Sequence, residues 1–557
     1  MVLTKKQGRL LVFFVLLVLA LLATVPFLKK DFLFADDWLF HFNRIIGIAE
    51  GLKSGQFPVR IYPQVYDGAG YQAPLYYPDF FLYIPGILVV AGMPVLGAVY
   101  LFHFLINFFT SFFAWFAMRR MKASVLVSLM MAGTWCFCPY RLSDLYSRYA
   151  LGETLALCFL PLVVAGFYEI FLSEQPRIML LVFAMSGVIL SHVLSVLFAL
   201  GFLLVFLCLF ADRLVKNPKT LLFLIEAGLL TFLLTAFFLI PFMEADRENT
   251  MVAGMGKNVW DEAVGFKDFL FPITLQDEKV FFVGFSAYLF LAAAVIFLIR
   301  EKGFGLRKRF ILCLTGFGIF LLWMCTYTFP WEAICQGGGR LGSLLRMIQF
   351  PWRLIGPGCL MLFLAGGLSI HAERMKGRTK VLLAAAVASC CMCSFIPYCV
   401  SYPEDREAVL SFGEEPSTGI AWEYLYFNTY PNAMHSAEPI PSEATEIRSY
   451  HQNGTNLDLV VSAPEDGWID TTLFKYVGYE AYDAEGNRMV TTFGGNNRLR
   501  ILFEKSYDGA VRVCYKGRLH WSVWTAVSLL TLFFCVIICV RHRKGSSGSD
   551  EEYANML

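Results

Sequence analysis

Long apolar runs alternate with short polar segments over most of the first 400 residues. A helix needs about 20 predominantly apolar residues to cross a bilayer, because hydrocarbon offers no partner for free backbone polar groups. By this criterion we predict about twelve transmembrane helices. They span 10–28, 97–118, 124–139, 152–171, 178–193, 194–211, 220–241, 280–299, 310–327, 353–371, 380–398 and 520–540. The pattern is typical of a polytopic α-helical membrane protein.

The stretch 401–519 has a different pattern, in which apolar and polar residues alternate with period two. One face of the segment 498–504 carries Leu499, Ile501 and Phe503, and one face of 511–515 carries Val511, Val513 and Tyr515. Such alternation predicts strands with one buried face, and the segments DAEGN and GGNN supply turns between them. We therefore predict a C-terminal β-sandwich-like domain, which either helps to bind a substrate or caps the membrane region.

Basic residues divide the chain into two sides. Close to half of the 46 lysines and arginines lie in the short segments before, between and after the predicted helices on one side. Such an excess marks the cytoplasmic side of a membrane protein, so both termini are predicted to be cytoplasmic and the large loops and β domain to lie outside. The predicted layout is a membrane domain at 1–400 with a first outer loop at 29–96, a β-rich domain at 401–519, a last helix at 520–540 and a tail at 541–557.

Composition agrees with a lipid environment and gives no support for nucleic-acid binding. Only 16% of the residues are charged, whereas soluble domains have about 25%. The formal net charge is only +2, too small for a surface that neutralises many phosphates. The expected surroundings are therefore the lipid bilayer.

An acidic pair, Asp36 and Asp37, follows the first predicted helix directly. If the next residues are helical, Asp37, His41 and Arg44 lie at i, i+4 and i+7 on one face. Two adjacent carboxylates can act as a general base or as ligands of a divalent cation such as Mg²⁺ or Mn²⁺. The alternative is a solvated surface helix whose charges pair with one another or with lipid headgroups. Asp36 and Asp37 are the candidate catalytic residues and the candidate metal ligands.

Arginines accompany acids in three outer segments. Arg44 and Arg60 of the first loop could clamp a phosphate bidentately. The candidate binding residues of the other two segments are Asp144, Arg148, Glu153, Arg346 and Arg353. Asp144 and Arg148 are also spaced for a simple salt bridge within one helix. The arginines of 340–354 have two explanations, an anionic lipid headgroup or phosphate as partner and interfacial anchoring beside a tryptophan.

His192 and Tyr71 complete the candidate binding residues. His192 lies where the fifth predicted helix reaches the outer face, and its alternative role is that of a hydrogen-bonded structural histidine. Tyr71 belongs to a tyrosine-rich part of the first loop, which suits a site that receives a sugar and a prenyl tail but also suits an interfacial aromatic belt. Three outer segments thus bring acids, arginines and a histidine to one side of the bilayer.

The motifs DDWLFHFNR, GQFPVRIYP, GAGYQAPLYYP, CPYRLSDLYSRYALGE, SHVLS and QFPWR together resemble the membrane protein family called 6-pyruvoyl-tetrahydropterin synthase-related. More broadly, the arrangement resembles the GT-C glycosyltransferases, which have an acidic pair in the first outer loop and many membrane helices. The resemblance implies transfer of a sugar from a polyprenyl-phosphate donor to a glycan, lipid or protein acceptor of the cell envelope. It implies that Asp36 or Asp37 acts as base or holds the cation, and that Arg44, Arg148 and Arg353 neutralise the lipid phosphate.

The resemblance also implies a bacterial cytoplasmic membrane as the location. No glycine-rich nucleotide fingerprint is found on the cytoplasmic side, which agrees with a donor already carried by a lipid. Two other functions remain open. A flippase or exporter of lipid-linked glycan intermediates would favour ionisable residues near mid-membrane, and these are sparse. A non-catalytic membrane scaffold would use its β domain and need the loop charges only for stability.

Overall fold

The computed structural model describes residues 4–28, 36–173, 176–248, 258–270, 281–337, 339–373, 377–400, 424–426, 429 and 438–545. The start of the predicted outer loop at 29–35, most of 401–437 and the tail from 546 lie outside the described residues. The helices in the first half are α1 (Lys5–Thr24), α2 (Trp38–Lys53), α3 (Tyr83–Val90), α4 (Val95–Arg120), α5 (Val125–Cys136), α6 (Pro139–Tyr146), α7 (Leu151–Leu172), α8 (Ile178–Ile189), α9 (Val196–Leu209), α10 (Ala211–Lys216) and α11 (Lys219–Glu248). Those in the second half are α12 (Phe266–Leu270), α13 (Phe285–Arg300), α14 (Leu306–Met324), α15 (Trp331–Gln336), α16 (Arg340–Arg346), α17 (Ile355–Ala372), α18 (Gly377–Val400) and α19 (Leu519–Gly545).

The protein is a helical membrane protein, but the predicted number of twelve spans is not confirmed. Each predicted span falls on a helix. Among the described residues, however, only seven helices are long and apolar enough to cross a membrane, namely α1, α4, α7, α11, α17, α18 and α19. The count becomes eight if α5 and α6, which are bent by 42° at a short break, form one span. The other predicted spans fall on helices that are shorter or more charged, such as α14 with its basic first turn.

Helices α7 and α17 are the most enclosed of the long helices. In their most apolar stretches, 89% of the α7 residues and 94% of the α17 residues are buried within the protein. Glycines permit this close packing, because a Cβ at Gly366 of α17 would lie 2.3 Å from the carbonyl oxygen of Phe290 in α13. Small residues let membrane helices approach backbone to backbone. The close packing of these two helices fixes the positions of the side chains near their N-terminal ends.

The C-terminal β domain is one continuous antiparallel sheet of eight strands in the order β1-β4-β7-β6-β5-β8-β3-β2. The strands are β1 (Ile440–Pro441), β2 (Glu446–Asn453), β3 (Asn456–Ala463), β4 (Gly467–Phe474), β5 (Tyr479–Tyr482), β6 (Arg488–Phe493), β7 (Arg498–Phe503) and β8 (Tyr507–Tyr515). The predicted alternation is confirmed for β7, where Leu499, Ile501 and Phe503 are buried. Strand β6 joins the two halves by pairing with β5 and β7, so the sandwich-like domain is a single sheet rather than two.

The loop segment 54–82 docks on the β domain. Backbone bonds pair Tyr62 with Tyr71 at 2.9 and 3.1 Å, which folds the segment 54–82 back on itself. At its tip, the Gly70 carbonyl accepts from the Tyr476 hydroxyl at 3.1 Å, and the Ala69 carbonyl accepts from the Phe474 amide at 3.0 Å. The loop is therefore held between the membrane helices and the sheet.

Candidate functional site

Backbone hydrogen bonds attach the acidic pair to the segment between α6 and α7. The Asp37 amide donates to the Arg148 carbonyl at 2.8 Å, and the Asp36 amide donates to the Ser147 carbonyl at 3.4 Å. Helix α2 begins immediately afterwards at Trp38, which is buried. The turn that precedes α2 is thereby fixed beside the N-terminal end of α7, and two of the predicted outer segments meet at Asp37 and Arg148.

Arg148 is the centre of a buried ion-pair network. Its Nη1 atom bonds the Asp144 carboxylate and lies 3.3 Å from Oε2 of Glu153. The guanidinium also lies over the Trp352 ring, 4.2 Å from its centroid. Thr154 donates to the second Asp144 oxygen at 2.9 Å. The carboxylates on both sides hold the guanidinium in a fixed orientation, since buried charges need partners.

The third predicted segment enters the same network through Arg353. Its Nε atom lies 3.3 Å from Oε2 of Glu153, the oxygen that also faces Arg148. The other Glu153 oxygen accepts from the Tyr140 hydroxyl at 2.5 Å. Nη1 of Arg353 donates to the Gln349 side chain at 2.7 Å. One carboxylate thus holds two guanidinium groups side by side, an arrangement suited to an anion with several oxygens.

Asp37 lies within electrostatic range of these two arginines, but its carboxylate has no side-chain hydrogen bond from any residue in the part of the chain that the structure describes. The side chain is half-buried. Burial raises the pKa of Asp37 above its usual value; Arg148 and Arg353 oppose that increase, whereas neighbouring Asp36 reinforces it. A carboxylate with free oxygens and a raised pKa is a suitable general base. Asp36, by contrast, is exposed.

Two histidines border the network, and both are neutral. The His192 Nδ1 atom lies 2.9 Å from the Ser195 hydroxyl, and burial together with Arg353 lowers the pKa of His192 to about 3. Burial, with Arg44 and His192 nearby, lowers the pKa of His41 well below its usual value. Nε2 of His41 accepts from the Leu151 amide at 3.2 Å. His41 therefore links α2 to the start of α7 and is not a proton donor at neutral pH.

Arg44 lies close to this network but is fully engaged by other partners. The guanidinium donates from Nε and Nη2 to Oδ1 of Asp79 at 3.0 and 2.5 Å. It also donates to the Pro78 carbonyl at 2.6 Å, and its Nη1 atom lies 2.9 Å from His41 Nδ1. The second Asp79 oxygen accepts from the Tyr62 hydroxyl. Because its donors are engaged in this way and the residue is only 1% exposed, Arg44 stabilises the loop and is not available to bind a phosphate.

Three predicted binding residues lie away from the network. Arg60 donates to the Phe237 carbonyl at 2.7 Å and lines a different cavity. The Tyr71 hydroxyl accepts from the Tyr424 amide at 3.2 Å, in the junction between the loop and the β domain. Arg346 is exposed on α16 and bonds Ser343 at 3.3 Å. The predicted pairing of Arg44 with Arg60 around one phosphate is therefore not formed.

Sequence reasoning missed two residues, Tyr140, which bonds Glu153, and Asp79, which pairs with Arg44. For two others the sequence indicates a different role. Trp352, predicted as an interfacial anchor, lies against Arg148, and Tyr62 of the tyrosine-rich loop bonds Asp79. Asp79 follows a proline in an irregular loop, where no periodicity relates it to Arg44.

The metal-ligand role of Asp36 and Asp37 stays a prediction. No three His, Cys, Asp or Glu side chains of the described ranges come together with the spacing of metal ligands. Arg148 and Arg353 act electrostatically on Asp37, and both are paired with the carboxylates of Asp144 and Glu153.

Comparisons with known proteins give limited relationships. No protein-family model matches the chain, so the resemblance to the 6-pyruvoyl-tetrahydropterin synthase-related family stays a prediction. An uncharacterized protein of Lactococcus lactis subsp. cremoris is 24% identical over 336 residues, which are 58% of this chain and 54% of that protein. The match thus spans about half the length of that curated relative.

Two cryo-EM structures of the mycobacterial arabinofuranosyltransferase AftD, one of them a point mutant, are also similar in part. They superpose with TM-scores of 0.40 and 0.39 at 15% and 14% sequence identity. The superpositions cover 72% and 71% of this chain but only 27% and 28% of the AftD chains. Likenesses at this level do not establish a shared fold, and the chain is similar to, rather than identified with, these proteins.

Proposed function

We propose that the protein is a GT-C-like membrane glycosyltransferase, which moves a sugar from a polyprenyl-phosphate donor to an acceptor hydroxyl outside the cytoplasm. The observation that carries this proposal is the half-buried Asp37 carboxylate, which has no side-chain hydrogen-bond partner among the described residues and lies within electrostatic range of the arginines Arg148 and Arg353. A base next to a cationic cradle is what this reaction needs, because a proton leaves the acceptor while negative charge grows on a phosphate.

The proposed step is a substitution at the anomeric carbon of the donor sugar. The acceptor oxygen forms a bond to this carbon, and the bond from the carbon to the phosphate oxygen breaks. Asp37 takes the proton of the acceptor hydroxyl, and the leaving phosphate retains the electron pair of the broken bond. Arg148 and Arg353 stabilise the charge on the leaving phosphate, because charge-assisted hydrogen bonds to phosphate are among the strongest available to a protein.

The remaining residues of the network position these groups. Glu153 lies 3.3 Å from both Arg148 and Arg353 and sets their spacing, while Asp144 fixes the opposite side of Arg148. His192 is neutral, since burial and Arg353 lower its pKa to about 3, so in this proposal it can bind a sugar hydroxyl without adding charge. The donor sugar and the nature of the acceptor stay open in the proposal.

The orientation across the membrane is also part of the proposal. Glu153 lies at the start of α7, and Glu169 near its end pairs with Arg120 of the basic last turn of α4. Sixteen residues of helix separate the two acids by about 24 Å, which is most of the bilayer core. If the basic end faces the cytoplasm, as the positive-inside rule predicts, the Asp37 site opens on the other side. A bacterial cytoplasmic membrane is the proposed location.

The test is sugar transfer from polyprenyl-phosphate-linked donors in membranes that contain the full chain at matched expression. Asp37→Asn removes the proposed base with little change of shape, and Asp36→Asn is its matched control, since Asp36 is the exposed neighbour. We expect transfer to fall about 100- to 10,000-fold in Asp37→Asn, the usual contribution of a general base, and to persist in Asp36→Asn.

Other outcomes lead to different conclusions. Full transfer by Asp37→Asn would remove Asp37 from the chemistry. Absence of transfer by the wild-type chain, together with movement of a lipid-linked glycan across the membrane, would favour a flippase or exporter. An envelope assembly function that is unaffected by replacement of both acids would favour a scaffold. Transfer measured with and without EDTA tests whether Asp36 or Asp37 holds a divalent cation, and loss of transfer in EDTA would support that role.

A further inference from the structure

A second polar cavity lies where the first outer loop, the β domain and α19 meet. Its volume is about 350 Å³. The loop contributes Gln56 and Arg60, the β domain contributes Asn456 and Lys516, and the first turns of α19 contribute Ser522. None of the acids and arginines of the network around Asp37 lines this cavity, so it is separate from the proposed catalytic site.

Arg60 is the distinctive group of this cavity. The residue is only 7% exposed, and within the described part of the chain its guanidinium donates one hydrogen bond, from Nη2 to the Phe237 carbonyl at 2.7 Å. No carboxylate of the described ranges pairs with it. A nearly buried cation without a charged partner is costly, and burial lowers the pKa of Arg60 accordingly. The cost is reduced if an anion enters the cavity.

Two other cations, Lys516 and Arg518, line the cavity. The acids close to these cations and to Arg60 already have partners. Arg518 donates to Glu244 at 3.1 Å, and Lys516 lies 3.9 Å from Glu480. Asp79 raises the pKa of Arg60 through a longer-range electrostatic interaction. Its two carboxylate oxygens accept hydrogen bonds from Arg44 and Tyr62. The described residues that line the cavity include no Asp or Glu. The local charge therefore favours an anion.

Neutral donors and the membrane position indicate the chemical class of this anion. Thr455, Asn456 and Ser522 line the cavity together with Arg60. Ser54, Gln56 and Thr525 also line it, but their side chains donate to the carbonyls of Gly51, Ile61 and Trp521. The cavity also contacts Trp521, at the start of the apolar helix α19, and tryptophans mark the level of lipid headgroups. Several donors around one cation are suited to a phosphate with its three or four oxygens.

We propose that this cavity binds a phosphate group through Arg60, either of an anionic lipid headgroup or of free phosphate. A lipid bound there contacts loop, sheet and α19 at once, so it fastens the β domain and the first outer loop to the membrane surface. The proposal does not depend on the proposed transferase activity, because binding is measured without any sugar donor.

The test is thermal unfolding of the purified full chain in detergent, with increasing inorganic phosphate or phosphatidylglycerol and with phosphatidylcholine for comparison. A ligand that binds only the folded state raises the Tm. We expect phosphatidylglycerol or phosphate to raise the Tm of the wild type and to bind Arg60→Gln at least about tenfold more weakly, because a charge-assisted hydrogen bond contributes about 1.5–3 kcal/mol. Arg448→Gln, which alters an exposed pair with Asp508, is the matched control and should respond like the wild type.

The experiment distinguishes free phosphate from a lipid headgroup, and it distinguishes loss of binding from failure of a variant to fold. A shift with inorganic phosphate alone identifies free phosphate, and a shift only with phosphatidylglycerol identifies a lipid headgroup. If Arg60→Gln does not fold, Ser522→Phe fills the cavity while leaving the cation in place and should also abolish the shift. The proposal is overturned if neither probe shifts the wild type, or if Arg60→Gln or Ser522→Phe responds as strongly as the wild type.

Discussion

The first outer loop contributes to two charged clusters that differ in one respect, the completeness of their hydrogen bonds. In the Arg44–Asp79 cluster, the guanidinium has partners at Asp79, Pro78 and His41, and both carboxylate oxygens accept. In the Asp37 cluster, the two arginines share the carboxylate of Glu153, and Arg148 also pairs with Asp144. There the Asp37 carboxylate receives no side-chain hydrogen bond from the residues that the structure describes. The first cluster is closed to further ligands, and the second is open.

This difference separates charges that stabilise the fold from charges that can do chemistry. Buried polar groups are almost always paired, so a closed cluster needs nothing further to explain it. A half-buried carboxylate that receives no side-chain hydrogen bond lowers the free energy of unfolding. Charged groups that lower stability in this way are typical of catalytic sites. Position in the sequence alone would not separate the clusters, because Asp37 and Arg44 are only seven residues apart.

The largest expected effect is on stability, from breaking the closed cluster. Asp79→Ala leaves the Arg44 guanidinium buried without its carboxylate, and removal of one partner from a buried pair costs about 3–5 kcal/mol. We expect a large decrease in the Tm of the purified protein, measured by thermal unfolding in detergent. The control is Asp508→Ala in the exposed pair with Arg448, which should unfold near the wild-type temperature. Equal Tm values for both variants would mean that the Arg44 cluster is not structural.

The next effect is on donor binding, from weakening the open cluster. Arg353→Gln removes one of the two cations that act electrostatically on Asp37, and charge-assisted hydrogen bonds contribute about 1.5–3 kcal/mol. We expect kcat/KM for a polyprenyl-phosphate donor to fall about 10- to 100-fold, with partial recovery in Arg353→Lys. Arg346→Gln changes an exposed arginine only a few residues away and should leave transfer intact. Similar losses at both positions would point to a general effect of charge at the membrane surface.

The pH dependence of transfer tests the electrostatics of the open cluster. Burial raises the pKa of Asp37, and only the ionised carboxylate accepts a proton. We therefore expect kcat/KM to be constant at higher pH and to fall as the pH decreases through this raised pKa, above the range of an ordinary aspartate. Because burial disfavours the ionised form, Asp37→Asn should be at least as stable as the wild type at neutral pH. A rate that rises toward low pH would contradict the role of Asp37 as a base.

The sequence predicted the elements better than the contacts between them. Alternation in 498–503 identified a strand because one face of it is buried, and apolar runs located the long helices. Three separate segments are predicted to come together, and a backbone hydrogen bond of Asp37 and the ion pairs of Glu153 join them. The partner of Arg44 was not predictable, because Asp79 lies 35 residues away in an irregular loop with no periodicity. For the same reason the separation of Arg60 from Arg44 was visible only in three dimensions.

The smallest expected effect comes from Asp36, and it distinguishes the two acids. Asp36 is exposed, and its charge contributes to raising the pKa of Asp37. A charge that acts through water is strongly screened, so its effect on a neighbouring carboxylate is small. Asp36→Asn should therefore move the acid limb of the rate profile slightly to lower pH, with a nearly unchanged rate at neutral pH. A pH titration of kcat/KM measures the shift, and a loss as deep as that of Asp37→Asn would instead assign the base to Asp36.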